Sequence, residues 1–226
     1  MAAQFVQRGK KIVAIGRNYV AHAKELNNAV PTEPIVFLKP TSSYTTASQI
    51  ELPRGILVHH EVELGVVIGK GGREIKAADA MKHVAGYALA VDYTGRNLQN
   101  ELSGKGLPWT KAKGFDDACP IGPFIPATEI KDPHALQLWF KINGELKQND
   151  STNLMIWRIP ELIEHCSSLI KFEEGDLLLT GTPAGVGPVK EGDKISAGLE
   201  QDGEVISTIE HLVRTREGGY LFAPKN

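Results

Sequence analysis

The sequence predicts a β-rich α+β fold with a mixed sheet. Many short apolar segments are bounded by glycine or proline, and few segments show helical periodicity. Strands and helices do not alternate regularly along the chain, as a doubly wound α/β fold would require. A length of 226 residues suits one domain. We find no internal repeat and predict that 1–226 form a single domain, with 1–50 as a small N-terminal lid lobe.

The individual elements follow from these local patterns. Apolar runs predict strands over 11–16, 35–38, 61–69, 86–93, 176–180, 194–199 and 204–212. Gly144 and Glu145 form the turn of a predicted hairpin that joins 137–143 to 146–148. Helices are predicted over 18–26, 75–84, 95–106 and 159–170, with Asn18 and Pro160 in first-turn positions. The polar stretch 41–49 is expected to be a mobile loop.

Composition excludes several classes of function. The chain has 25 basic and 27 acidic residues and a net charge of −2, so no nucleic acid or anionic membrane is expected as a partner. Apolar runs such as 64–69 are too short to span a bilayer. Cys119 and Cys166 fit no metal or redox spacing and are interpreted as buried hydrophobic residues. The first 24 residues contain five bases and no acid, a weak transit-peptide pattern, and we expect the mitochondrial matrix or the cytosol.

Three carboxylates are predicted to converge on one side of two strands. Strand side chains alternate faces with a period of two, so Glu61 and Glu63 point the same way. In the strand predicted over 86–93, Asp92 follows two alanines on its own face, and these small residues leave room beside the carboxylate. A solvated strand face bearing acids is the alternative for the first strand considered alone. Together the three residues predict a metal site.

The predicted ligand set favours magnesium. Magnesium binds all-oxygen sites and retains waters that substrate oxygens can replace, whereas zinc usually recruits histidine or cysteine. His59 and His60 adjoin the first carboxylate in sequence, so zinc remains an alternative. His60 and Glu61 point to opposite strand faces, which argues against a metal shared by that pair.

A candidate acid–base pair lies in the first predicted helix. His22 and Glu25 are three residues apart, which places them on one helix face. A carboxylate that holds an imidazole can serve as a base for activating water. The alternative is a surface pair that contributes about 0.2–0.5 kcal/mol to the helix.

Candidate anion-binding groups follow in two further segments. Arg96 and Gln99 share a helix face, and Lys113 lies in a stretch with no clear amphipathic period. Cations beside a metal can bind a carboxylate or stabilise a developing oxyanion. The loop 180–187, which contains Thr182, follows a buried strand and can offer N–H and hydroxyl groups to an anion. Ordinary solvated surface and a tight turn between strands are the respective alternatives.

Motifs along nearly the whole chain, from about Lys11 to about Leu199, match one known family. They lie at 16–19 with His22 and Glu25, at 37–40, 59–64, 86–92, Arg96 and Gln99, 106–113, and 179–187. With these motifs the chain resembles the fumarylacetoacetate hydrolase superfamily, and in particular its small acylpyruvase and oxaloacetate decarboxylase or tautomerase members. The His-Glu-x-Glu segment with a downstream aspartate and the Thr-Gly-Thr-Pro loop are the most specific of these motifs.

The resemblance implies a mixed-sheet β-roll body, a homodimer and bound Mg²⁺ or Mn²⁺. It implies metal ligands at Glu61, Glu63 and Asp92. His22 and Glu25 would be a water-activating dyad on a lid that closes over the substrate. The residues placed around the substrate would be Arg17, Arg96, Gln99, Lys113 and Thr182, with Lys113 acting in catalysis. Lys39 matches a family lysine to which no role is assigned.

The expected activity is the formation or stabilisation of enolates of small 2-oxo acids. Hydrolysis of acylpyruvates, decarboxylation of oxaloacetate and enol–keto tautomerisation of oxaloacetate would all use one electrostatic core. The sequence does not rank these three reactions. A non-catalytic, metal-dependent ligand-binding protein of the same fold is the alternative from another class, although binding alone needs no base such as the His22–Glu25 pair.

Overall fold

A computed structural model describes residues 2–26 and 28–223. In chain order its strands are β1 (Ile12–Gly16), β2 (Ile35–Lys39), β3 (Tyr44–Thr45), β4 (Gln49–Leu52), β5 (Val58–His60), β6 (Val62–Ile68), β7 (Val84–Val91), β8 (Thr94–Gly95), β9 (Cys119–Pro120), β10 (Ile125–Pro126), β11 (Gln137–Ile142), β12 (Glu145–Ser151), β13 (Leu177–Leu179), β14 (Gly187–Pro188), β15 (Lys194–Gln201) and β16 (Glu204–Thr215). Its α-helices are α1 (Phe5–Arg8), α2 (Val20–Glu25), α3 (Ala77–Ala80), α4 (Arg96–Gly104), α5 (Thr110–Lys113) and α6 (Ile159–Leu169).

Two larger sheets form the body of the protein. The first has six strands in the order β10-β7-β6-β13-β1-β2, and the second has five in the order β12-β11-β15-β16-β4. Each contains one parallel pair, β1 with β13 and β16 with β4, among antiparallel neighbours. The predicted β-rich α+β class with mixed sheets is therefore confirmed.

The principal core lies between these two sheets. Leu64 of β6 and Leu89 of β7 belong to the same buried cluster as Phe140 of β11 and Leu199 of β15. The opposite face of the six-stranded sheet is covered by a second cluster that includes Phe5 of α1. Strands buried on both faces read as continuous apolar runs. This explains why the segments of β6 and β7 were recognisable from sequence.

Several local predictions differ from the structure. The helix expected over 75–84 is limited to α3 and a 3₁₀ turn at Met81–His83, because β7 begins at Val84. The loop expected over 41–49 contains a 3₁₀ turn and β3, which pairs with β9. Within the predicted N-terminal lobe, β1 and β2 belong to the six-stranded sheet of the body. The division into a single domain with a lid lobe stays a prediction.

Asn18 does not cap α2, as the sequence suggested. The N-cap residue is Tyr19, and no side chain caps the helix. The fully buried Asn18 amide donates to the carbonyl oxygens of Trp157 (3.0 Å) and Thr180 (2.8 Å), and its oxygen accepts from the Trp157 N–H (2.8 Å). The side chain therefore ties the start of α2 to the end of β13.

Replacing Asn18 with leucine is expected to destabilise the protein by on the order of 3 kcal/mol, because it leaves one buried and two partly buried backbone groups without partners. Urea unfolding measures the change. Asn153→Leu at an exposed position is the matched control and should have little effect. Equal midpoints for the two variants would contradict this role of the amide.

Candidate active site

The three predicted metal ligands converge at one end of the strand pair β6 and β7. Glu63 lies in β6, Glu61 immediately precedes that strand, and Asp92 immediately follows β7. The Asp92 N–H donates to the Glu61 carbonyl oxygen at 2.8 Å, which holds the two chain segments side by side. One carboxylate oxygen from each residue lies within 4.8 Å of the other two, and all three residues are buried. Among the residues that the structure describes, this is the only such cluster of potential metal ligands.

Two lysine side chains and an arginine surround this acidic cluster. Lys113 Nζ donates to Glu61 Oε2 (2.9 Å) and to Asp92 Oδ2 (2.6 Å). Lys39 Nζ donates to the other Asp92 oxygen at 2.7 Å, and Arg96 pairs with Glu61. Lys39 therefore has a definite place in the structure, although the sequence assigned it no role. It orients Asp92 and also binds the backbone carbonyl of Lys113.

These charges have opposite effects on two neighbouring carboxyl groups. Burial raises the pKa of Glu61, but the cations of Lys113 and Arg96 outweigh it and hold that pKa well below its ordinary value. Burial raises the pKa of Glu63 well above its ordinary value, and the negative charges of Asp92 and Glu61 add to the increase. Glu61 is thus stabilised in its charged form, whereas the charged form of Glu63 is disfavoured.

Glu63 shows that the donor set fits a divalent cation. Within the described part of the chain, its side chain pairs with no cation and accepts one hydrogen bond, from the Gly181 N–H at 2.7 Å. A buried carboxylate without a counter-charge is unfavourable. Three oxygen donors with no nitrogen or sulfur suit a hard cation such as Mg²⁺ or Mn²⁺. His60, raised as a zinc alternative, instead binds the Gln148 side chain through Nδ1 (2.9 Å).

The loop after β13 forms one side of the site. Gly181 has a φ of 95°, and a Cβ there would lie 2.7 Å from the Cβ of Asn18. Glycine at this position lets the chain turn so that its N–H reaches Glu63. Thr182 follows and is buried, with its hydroxyl donating to the Val62 carbonyl oxygen at 2.8 Å.

His22 and Glu25 lie on one face of α2, as their spacing predicted. His22 Nδ1 is 3.6 Å from Glu25 Oε2, and the imidazole is buried. Burial lowers the pKa of His22, which favours the neutral imidazole that can accept a proton. The Glu25 carboxylate also accepts from the Gly185 N–H at 3.1 and 3.2 Å. The loop after β13 therefore contacts both Glu63 and Glu25.

A cavity of about 460 Å³ opens above the carboxylates. Of the predicted site residues, it is lined by Arg17, His22, Glu61, Glu63, Arg96, Gln99, Lys113 and Thr182. Asp92 lies beneath this surface, and Glu25 lies behind His22. Arg17 has a φ of 60°, a left-handed conformation that non-glycine residues seldom adopt, and Arg96 Nη1 donates to Gln99 Oε1 at 2.5 Å.

The sequence assigned no role to several residues that line this cavity or are buried beside it. Thr94 Oγ1 accepts from Lys113 Nζ at 2.6 Å, and Phe37 lies with its ring centroid 4.8 Å from the same nitrogen. The Trp109 ring packs edge-on against Phe37, with centroids 5.6 Å apart. Trp109 belongs to a motif that carried the family resemblance, and this motif was the one sequence feature that could have indicated its place at the site.

The fold and the site define a β-rich protein with a buried cluster of three carboxylates beneath a polar pocket. Within the described residues, no helix is long and apolar enough to cross a membrane. A family model described as fumarylacetoacetate (FAA) hydrolase C-terminal matches residues 11–210. The chain therefore belongs to the fumarylacetoacetate hydrolase family, and the resemblance found in the sequence is confirmed.

Individual relatives cover most of the chain. It is 52% identical over 200 residues to the mitochondrial oxaloacetate tautomerase FAHD1 of Mus musculus, covering 88% of this chain and 90% of the relative. It is also 52% identical over 199 residues to the mitochondrial oxaloacetate decarboxylase of Dictyostelium discoideum, covering 87% and 91%. The crystal structure of fumarylpyruvate hydrolase from Pseudomonas aeruginosa, in complex with Mn²⁺ and pyruvate, has a TM-score of 0.83 and 34% identity, covering 91% and 90%.

Proposed function

We propose that the chain is a Mg²⁺- or Mn²⁺-dependent enzyme that forms and stabilises enolates of small 2-oxo acids, with oxaloacetate enol–keto tautomerisation as its principal reaction. The observation that carries the proposal is a single pocket in which buried carboxylates, two arginines, Lys113 and a neutral His22 face one another. A dianionic oxo acid needs cations to bind it, a proton acceptor and charge stabilisation for the enolate.

Glu61, Glu63 and Asp92 would hold the metal ion, which supplies Lewis-acid stabilisation of negative charge on substrate oxygens. The chain's own residues would do the rest. Arg17, Arg96 and Gln99 would bind substrate carboxylates, because arginine and amide groups offer hydrogen-bond donors to such anions. Thr182 would form the adjoining wall of the substrate site. Lys113 would balance the charge that develops on the enolate oxygen.

In the tautomerisation, His22 would take the proton from C3 of the keto acid, and the imidazolium would give a proton to the enolate oxygen to form the enol. The reverse reaction would use the same two transfers in the opposite order. Its buried, neutral imidazole is suited to this step, and Glu25 would favour the imidazolium that forms. The tautomerase name of the Mus musculus relative supports this assignment.

Cleavage reactions are the second candidate function. Loss of CO₂ from oxaloacetate, a reaction that the name of the Dictyostelium discoideum relative suggests, leaves the enolate of pyruvate, which takes a proton at C3 to give pyruvate. In an acylpyruvate, water deprotonated by His22 would attack the distal carbonyl. The bond between that carbon and C3 would then break, giving a carboxylic acid and the enolate of pyruvate, which takes a proton at C3. The contact of Glu25 with His22 favours this candidate, because a base supported by a carboxylate can activate water.

The names of both close relatives also support a mitochondrial location rather than the cytosol. A homodimer is proposed on the family resemblance.

An ultraviolet assay of oxaloacetate and acetylpyruvate, with and without Mg²⁺, tests the proposed function. We expect turnover that disappears after chelation and returns with Mg²⁺. Oxalate is a planar dianion that resembles the enolate of pyruvate, so it should inhibit competitively at concentrations well below the oxaloacetate KM. Turnover that persists after chelation would contradict metal dependence. Oxalate binding without any turnover would support the non-catalytic ligand-binding protein instead.

A further inference from the structure

We propose that Gln148 is a positioning residue that fixes the peptide units on both sides of Val62 and thereby sets the directions of Glu61 and Glu63. The proposal rests on the proposed function, because those two carboxylates are its candidate metal ligands. Gln148 lies in β12 of the five-stranded sheet, outside the cavity, and acts across the core.

The strand that carries Gln148 has an unusual composition for its burial. Strand β12 reads Glu-Leu-Lys-Gln-Asn-Asp-Ser, and Gln148 is its one fully buried position. A buried amide is costly unless its polar atoms are paired, and apolar residues usually occupy such positions. Gln148 is 1% exposed. A glutamine in this position therefore calls for a reason in its hydrogen bonds.

The neighbouring strands explain what Gln148 pairs with. Strand β13 runs beside β6 as far as Leu179, which pairs with Gly65. Past that point the chain bends at Gly181, where φ is 95°, so no strand covers the next backbone groups of β6 on that side. The N–H and carbonyl of Val62 would be left without partners. Side chains take the place of the missing strand.

Three side-chain hydrogen bonds close a ring on Val62. Its N–H donates to Gln148 Oε1 at 3.1 Å, Gln148 Nε2 donates to Thr182 Oγ1 at 2.8 Å, and the Thr182 hydroxyl donates to the Val62 carbonyl at 2.8 Å. The N–H belongs to the peptide unit shared with Glu61, and the carbonyl to the unit shared with Glu63. The ring therefore restrains the backbone that directs both carboxylates.

The remaining atoms of the amide are also paired. Gln148 Oε1 accepts from His60 Nδ1 at 2.9 Å, and Nε2 donates to the Pro183 carbonyl at 2.9 Å. The Val62 N–H can only donate and the Pro183 carbonyl can only accept, so the amide oxygen of Gln148 must face Val62 and its nitrogen must face Pro183. His60 is itself held by stacking on Phe140, with ring centroids 4.1 Å apart. All four hydrogen-bonding positions of Gln148 are thus used.

The arrangement predicts a loss of metal affinity when the ring is opened. Residues that orient metal ligands typically contribute 10–100-fold to affinity. Gln148→Met retains length and an apolar body but forms none of these bonds, so Mn²⁺ binding followed by electron paramagnetic resonance should weaken by about 10–100-fold. Because the defect lies in affinity, kcat should recover at saturating Mn²⁺. Gln137→Met is the matched control, since that side chain bonds only to the exposed Asn149.

Thr182 provides a second test that does not depend on how well Gln148→Met folds. Thr182→Val breaks the ring and should weaken Mn²⁺ binding, whereas Thr182→Ser retains the hydroxyl and should preserve it. The double variant Gln148→Met/Thr182→Val should bind no more weakly than either single variant, because the ring can be opened only once. Wild-type Mn²⁺ affinity in both Gln148→Met and Thr182→Val, or additive losses, would overturn the proposal.

Amide hydrogen exchange at Val62 in metal-free protein separates this inference from the proposed function. Faster exchange in Gln148→Met and Thr182→Val, but not in Thr182→Ser, supports the ring even if wild-type protein were to bind no Mn²⁺, a result that would reject the proposed function alone. Unchanged Val62 exchange in both ring-opening variants would overturn the positioning role of Gln148, whatever the metal result.

Discussion

Replacing Glu63 with glutamine is expected to abolish Mg²⁺ binding and to lower turnover of oxaloacetate by more than about 10²-fold. Loss of a residue that orients a metal ligand typically lowers affinity by about 10–100-fold, and loss of the ligand itself should lower it further. The same change should stabilise the metal-free protein by on the order of 1 kcal/mol. Glutamine keeps the length of the side chain and the acceptor for the Gly181 N–H. It removes a carboxyl group whose charged form is disfavoured by burial and by two neighbouring carboxylates, as the raised pKa of Glu63 reflects.

Thermal unfolding with and without Mg²⁺ checks both effects. In wild-type protein, a ligand at 100 times its Kd stabilises the native state by about 2.7 kcal/mol, and this gain should vanish in Glu63→Gln. Glu51→Gln, at an exposed position of β4, should retain the wild-type response. An unchanged Mg²⁺-induced shift in Glu63→Gln would remove this residue from the metal site. A less stable metal-free variant would show that its charge is compensated by groups other than those described.

The convergence of the three carboxylates could be predicted from the sequence because it depends on local strand geometry. Glu61 and Asp92 lie just outside β6 and β7, yet the period of two still brings both carboxylates to the position of Glu63. The two strands are also antiparallel neighbours, with Glu63 opposite Ala90. The small alanine side chain leaves space beside the carboxylates, as the sequence analysis predicted.

The cations around this cluster could not be placed in the same way. Lys113 lies in α5, a helix of four residues, which is too short to show an amphipathic period. Lys39 ends β2, which lies at the far edge of the same sheet, and reaches Asp92 through a tertiary contact between residues 53 positions apart. The sequence named Lys113 as a candidate anion-binding group with solvated surface as the alternative, and only the family resemblance gave it a catalytic role. Lys39 was indicated by the resemblance alone, without a role.

Gln148 marks a different limit of sequence reasoning. The hairpin that contains it was predicted from its turn, but strand β12 has no apolar face that would reveal which side is buried. Its partners Val62 and Thr182 are separated from it by 86 and 34 positions. Asn18 is similar, since its local position suggested a helix cap, whereas the folded chain offers it partners 139 and 162 positions away. Buried amides such as these can be identified only from the tertiary structure, because local sequence patterns indicate the burial of apolar residues alone.

Replacing Glu25 with glutamine is expected to separate hydrolysis from decarboxylation. General-base catalysis contributes typically 10²–10⁴-fold, so acetylpyruvate hydrolysis should fall within that range. Decarboxylation of oxaloacetate needs no water nucleophile and should fall less. The reason lies in the position of Glu25, whose carboxylate is 3.6 Å from His22 Nδ1 and outside the cavity lining, so it acts on water through the imidazole. Glutamine can still accept from the Gly185 N–H, which preserves the contact with the loop.

The two reactions are followed by ultraviolet absorbance at saturating Mg²⁺, and Glu33→Gln, on the exposed segment after α2, is the matched control. Equal losses in both reactions would show that Glu25 positions α2 rather than supporting the base, because a displaced helix would impair every reaction in the pocket alike.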